Sequence, residues 1–170
     1  MTVTWKRQFA VLWVGQAVSI LTSSVPQYAL VWDLTARTGS AAVLSLAAMA
    51  ALLPQGVLGL FTGAVADHFD RRCIMALADG AIGLFSLALV GACLLWGSLP
   101  VPAILAALAL RSVGSAFHTP CLQAVTPLLV PPERLSRCAG WSQGVQTLSL
   151  LLSPALAAIL YARLPLPLII

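Results

Sequence analysis

Apolar residues run along this chain in five long blocks, each ended by a short cluster of charge, glycine or proline. The blocks cover residues 9–32, 41–65, 74–96, 103–129 and 139–161, and a further apolar stretch opens at 164–170. A helix rising 1.5 Å per residue needs about 20 apolar residues to cross a hydrocarbon core of about 30 Å, and every block exceeds that length. Lipid offers no hydrogen-bond partner, so each block must satisfy its backbone within its own helix. The pattern therefore predicts an all-α integral membrane fold, one domain over residues 1–170 with five transmembrane helices and the start of a sixth. Thr35 to Ser40, Asp67 to Arg72, Gly97 to Pro102, Pro131 to Arg137 and Arg163 to Pro167 are the predicted separators.

Composition supports this reading. Of 170 residues, 60% are hydrophobic and only 8% charged, and the mean hydropathy is +0.97, too apolar for a water-soluble domain. Basic residues alternate from one connection to the next. Lys6, Arg7, Arg71, Arg72, Arg134 and Arg137 fall on one side, and only Arg37 and Arg163 on the other. Retention of Lys and Arg on the inner side predicts a multi-pass protein of the cell inner (plasma) membrane with its amino terminus in the cytoplasm. Trp5 and Trp141 then lie near the inner interface, and Trp32, Trp96 and Tyr161 near the outer one, where amphipathic rings settle. Topology accounts for the net charge of +4, no basic stripe exists, and no nucleic-acid partner is expected.

The first block is too long for a removable signal peptide and lacks a small-residue cleavage site. Cys73, Cys93, Cys121 and Cys138 show neither metal-ligand spacing nor a redox pair, and read as packing residues. No phosphate-cradling loop or serine elbow occurs, so neither enzyme chemistry, a metal nor a cofactor is expected.

A few polar residues stand out against this background. Arg111 is a permanent cation well inside the fourth block, where insertion costs roughly 2.5–3.5 kcal/mol, so it should face the bundle interior or water. Asp79 is the carboxylate set well inside a block; burial would favour its neutral form and a cation partner its ionised form. Its depth points to Arg71 and Arg72 as partners rather than Arg111. Asp33, closing the first block, reads as a solvated terminus. His118 follows Arg111 by seven residues and shares its helix face, and Gln16 on the first helix can line the same cavity or act as polar glue between helices. In the fifth block Gly140, Ser149, Ser153, Pro154, Ala157 and Ala158 supply small residues that let backbones approach, with one proline to bend the span.

The segment Gly63-Ala64-Val65-Ala66-Asp67-His68-Phe69-Asp70-Arg71-Arg72 resembles the loop between helices 2 and 3 of major facilitator superfamily transporters, with His68 at a usual cation position and Asp70 replacing a second glycine. The stretches Trp13 to Ser19, Thr38 to Ala41, Arg111 to Pro120 and Ala124 to Pro131 are similar to the drug-exporter branch typified by macrolide efflux proteins. The resemblance implies twelve helices in two bundles, each made of two inverted three-helix repeats. It implies export of hydrophobic drugs, macrolides among them, by alternating access driven by a proton gradient. Under it, Gly63, Asp67, Asp70, Arg71 and Arg72 form a conformational latch against the opposite bundle. Arg111 belongs to a helix 4 motif linked to proton transfer or substrate engagement, although Gly114 stands one position early. The small residues of the fifth block stand in for the antiporter motif that bends to seal the cavity. The chain stops before a sixth helix is complete, so the expectation is a fragment or a truncated product whose partners are the lipid bilayer, a hydrophobic small-molecule substrate and the remaining transporter half. Self-association as a small membrane interaction protein, or an inactive product, are the alternatives.

Overall fold

The computed structural model describes residues 4–68 and 71–170, and within them the side chains other than those of 4–6, 8, 12, 16, 63–68, 71, 72, 75 and 118–129. Five helices follow one another: α1 (Thr4–Thr38), α2 (Ala41–His68), α3 (Arg71–Trp96), α4 (Val101–Leu129) and α5 (Leu135–Arg163). Short 3-10 turns occupy Pro132–Arg134 and Leu166–Leu168. Four of these helices contain described stretches long and apolar enough to cross a membrane, and α4 contributes a shorter described apolar stretch over Val101–Phe117.

Each helix outruns its apolar block, most visibly in α1, whose 35 residues give a rod of about 50 Å. The separator expected from Thr35 onward is instead the last turn of α1. Three local bonds carry the helix on. Thr35 and Thr38 donate their hydroxyls to the carbonyls of Val31 and Leu34, each at 2.8 Å, and Asp33 pairs with Arg37 four residues later. The helix stops at Gly39, whose positive φ of 56° suits a residue without a Cβ and whose amide returns to the Thr35 carbonyl at 2.9 Å. Gly97 ends α3 by the same device, with φ 74° and its amide on the Cys93 carbonyl. The stretch read as opening a sixth helix forms a 3-10 turn, with Leu166 and Ile169 buried.

Packing is reciprocal. α2 lies chiefly on α4 and α1 chiefly on α5, with α3 against α4 and α1 against α4. If α4 and α5 are taken as counterparts of α1 and α2, the α1–α5 contact is the image of the α4–α2 contact, the exchange that an inverted repeat produces.

The buried core is concentrated at the end of the bundle where α1 stops. Leu30 and Leu34 of α1 meet Ile104, Ala107 and Leu108 of α4, Leu89 and Cys93 of α3, Ala47 and Ala51 of α2, and Ala157 of α5. Among described residues, α1 has none in the buried class before Pro26. The apolar side chains exposed on the outer faces, such as Leu60 of α2 and Leu95 of α3, are what a lipid-facing surface carries.

Candidate functional site

Arg111 is 7% exposed and projects from α4 toward two other helices. Its Nη1 donates to Ser86 Oγ of α3 and its Nη2 to the Ser23 carbonyl of α1, both at 2.9 Å. Two properties of the sequence make this geometry available. Pro26 interrupts the amide ladder of α1 and crowds the turn before it, which exposes carbonyls there to outside donors. The planar guanidinium then serves two acceptors at once, which a single ammonium does less well. The charge predicted to face the interior does so.

Arg111 forms part of the wall of an open cleft of about 740 Å³ between α1 and α3, closed at one end by the last turn of α5 and the chain's final residues. Thr22, Ser23 and Ser86 are the other polar members of a lining otherwise made of leucine, valine, isoleucine, proline and glycine. Asp79 is exposed on α3, about 10 Å along the helix from Ser86, so Ser86 and Ser23 meet Arg111 two helical turns beyond it. Asp70 lies outside the described residues, and the side chains of the latch residues Gly63, Asp67, Arg71 and Arg72, together with those of His118 and Gln16, lie outside the described side chains. Among the described residues no group of three potential metal ligands occurs.

The small residues of α5 divide by face. Ser149, Ser153 and Ala157, spaced four apart, are buried, whereas Pro154 and Ala158 are half-buried and Gly140 is exposed. α1 is the helix that α5 chiefly contacts. Ser153 is fully buried, and its hydroxyl has no hydrogen-bond partner among the described residues. Toward the other end, Trp13 of α1 and Trp141 of α5 meet edge to face, with centroids 5.9 Å apart and planes at 87°, an arrangement that matches the positive edge of one ring to the negative face of the other.

Asp33 differs from its sequence reading. It is not a solvated terminus but 8% exposed. Its Oδ2 pairs with Arg37, and its Oδ1 accepts the Tyr161 hydroxyl of α5 at 3.1 Å. Arg37 also donates Nη1 to the Leu99 carbonyl in the α3–α4 connection at 2.8 Å. The four-residue spacing of Asp33 and Arg37 is a signal legible in the sequence; the approach of Tyr161, 128 positions away, is not.

The family described as Major Facilitator Superfamily matches residues 12–169. Macrolide efflux protein A of Streptococcus pyogenes is 47% identical over 158 residues, which are 93% of this chain and 39% of that protein. Macrolide efflux protein A of Enterococcus faecalis is 46% identical over 124 residues, 73% of this chain and 38% of that protein. The chain spans about two fifths of the length of these curated relatives. No solved structure matches it significantly.

Proposed function

Because the chain belongs to the major facilitator superfamily, we propose that it serves in the export of hydrophobic drugs, macrolides among them, across the inner membrane by proton-coupled alternating access. The observation that carries this reading is Arg111, a buried cation that joins α4 to α3 and α1. A bundle needing only to be stable gains little from such a group, given its insertion cost of roughly 2.5–3.5 kcal/mol, and intramembrane charge commonly marks an ion or substrate pathway. The amino terminus is assigned to the cytoplasm. There Gly63, Asp67, Asp70, Arg71 and Arg72 act as a latch whose ion pairs break and re-form during the cycle. The buried face of α5 carries the bend that seals the cavity. The cleft between α1 and α3 is assigned to a sixth helix, which would meet α1 as α3 meets α4, so that Arg111 is covered from that side rather than bound directly to drug.

The test is accumulation of a radiolabelled macrolide in susceptible bacteria producing the protein as its gene encodes it. Lower steady-state drug content, restored by a protonophore, is expected. Unchanged content despite verified membrane insertion overturns the reading, and concentration-dependent oligomers in that case favour a membrane interaction protein. Asp67→Asn is expected to impair efflux while leaving insertion intact; wild-type rates in that variant remove the latch assignment.

A further inference from the structure

Among the described residues, different contacts join α1 to α5 at the two ends of the bundle. At the end where α1 stops, one carboxylate gathers three separate parts of the chain. Asp33 accepts Tyr161 of α5 with one oxygen and pairs with Arg37 through the other, and Arg37 passes the connection on to the Leu99 carbonyl just before α4 begins. Leu99 is 1% exposed and Asp33 8% exposed, so water is largely kept from the two acceptors, while the Arg37 side chain is 34% exposed and its arm of the network is the more open to water. The fully buried Leu30, Leu34 and Ile104 lie at the same end. At the other end α1 meets α5 through Trp13 and Trp141, and Trp141 is 57% exposed. An edge-to-face ring contact tolerates sliding that a directional hydrogen bond does not.

We propose that Asp33, Arg37 and Tyr161 form a clasp that holds the ends of α1 and α5 and the α3–α4 connection as one body. The clasp divides into two arms that share Asp33. The Tyr161 arm holds α5, and the Arg37 arm holds the start of α4. Arg37 supplies two donors from one planar fork to two acceptors on different elements; a lysine would keep the charge next to Asp33 but not serve Leu99 equally well. This assignment concerns motion within the bundle and stands apart from the identity of the exported molecule.

The two arms predict separable responses. Spin labels are placed after Ala36→Cys with Ala162→Cys, to report α1 against α5, and after Ala36→Cys with Ser98→Cys, to report α1 against the α3–α4 connection. The four native cysteines are first replaced by alanine, and distances are read by electron paramagnetic resonance in lipid without substrate. Tyr161→Phe should broaden the first distribution about twofold and leave the second unchanged. Arg37→Lys should do the reverse, and Asp33→Asn should broaden both. Narrow distributions in every variant overturn the proposal. Equal broadening of both distances in every variant also overturns it, because that is general loosening rather than a clasp. If Asp33→Asn fails to fold, Tyr161→Phe, which removes a single oxygen, decides by the same two distances.

Discussion

Gln55 donates its backbone N–H to the Ser112 hydroxyl of α4 at 3.0 Å, one residue after Pro54 interrupts α2. A proline removes its own amide and crowds the preceding turn, which frees neighbouring groups for partners outside the helix. Ser112 is 2% exposed, so the acceptor is shielded from water, and the bond ties the Pro54 turn of α2 to the helix on which α2 chiefly packs. Ser112→Ala should lower stability by about 1–3 kcal/mol, the cost of a buried donor left without an acceptor. Ser112→Thr, which keeps the hydroxyl, should lie closer to wild type. Thermal unfolding of the purified protein in detergent measures both, and equal melting temperatures for wild type and Ser112→Ala would remove this tie.

Gly114 of α4 lies close against Ile82 of α3. A Cβ at this position would lie 3.0 Å from Ile82 Cγ1 and closer still to its Cδ1. Two effects oppose each other in Gly114→Ala. Helix propensity favours alanine by about 1 kcal/mol, while overpacking costs about 1–3 kcal/mol. Net destabilisation is expected in the wild-type background. Removing the Ile82 Cδ1 methyl by Ile82→Val should reduce the clash and move Gly114→Ala toward neutral or stabilising. A double-mutant cycle on melting temperature reads this coupling; additive effects would mean that the two residues do not press on each other.

Neither of these two contacts is legible in the amino-acid sequence, although the helices that carry them are. Apolar block length predicted five helices because crossing a bilayer imposes a minimum run, and Arg111 predicted its own burial because its cost demands an interior partner. The partners were not legible. Ser86 and Ser112 look like any small polar residue in a membrane helix, and the Ser23 carbonyl belongs to a backbone that every residue shares. Asp33 was misread for a related reason: an acid at the end of an apolar block suggests solvent until Tyr161 is brought against it by the packing of α5 on α1. Hydropathy also marks helix ends short, since it registers the hydrocarbon core while the Thr35, Thr38 and Asp33–Arg37 bonds extend α1 beyond it.

Arg111→Lys separates charge from geometry. The insertion cost of the two side chains is similar, so the amount of protein in the membrane should not change. The fork that reaches Ser86 and Ser23 together would be lost, and with it one charge-assisted bond of about 1.5–3 kcal/mol. If that geometry is used in transport, drug efflux should fall roughly tenfold or more, and Arg111→Gln should fall at least as far. Initial efflux rates normalised to membrane protein make the comparison. Wild-type rates for Arg111→Lys would reduce Arg111 to a charge whose orientation does not matter.

Ser153 gives the opposite expectation from Ser112, although both are buried serines on packed helix faces. Among the described residues the Ser153 hydroxyl has no hydrogen-bond partner, and the residue is fully buried. Such a hydroxyl loses its hydration without a replacement, at a cost of about 1–3 kcal/mol. Ser153→Ala removes the oxygen while keeping the small volume that α5 presents on this face, so the variant should be as stable as wild type or more stable by about 1 kcal/mol. Ser153→Leu should fail for the reason that Ser153→Ala succeeds. It adds bulk where the packed face leaves no room, and should reduce folded yield by forcing α5 away from its neighbours. Melting temperatures of the two variants in one detergent decide the matter. A marked loss of stability in Ser153→Ala would mean that the hydroxyl is engaged in the folded protein after all, and that the close packing of α5 depends on a polar contact as well as on size.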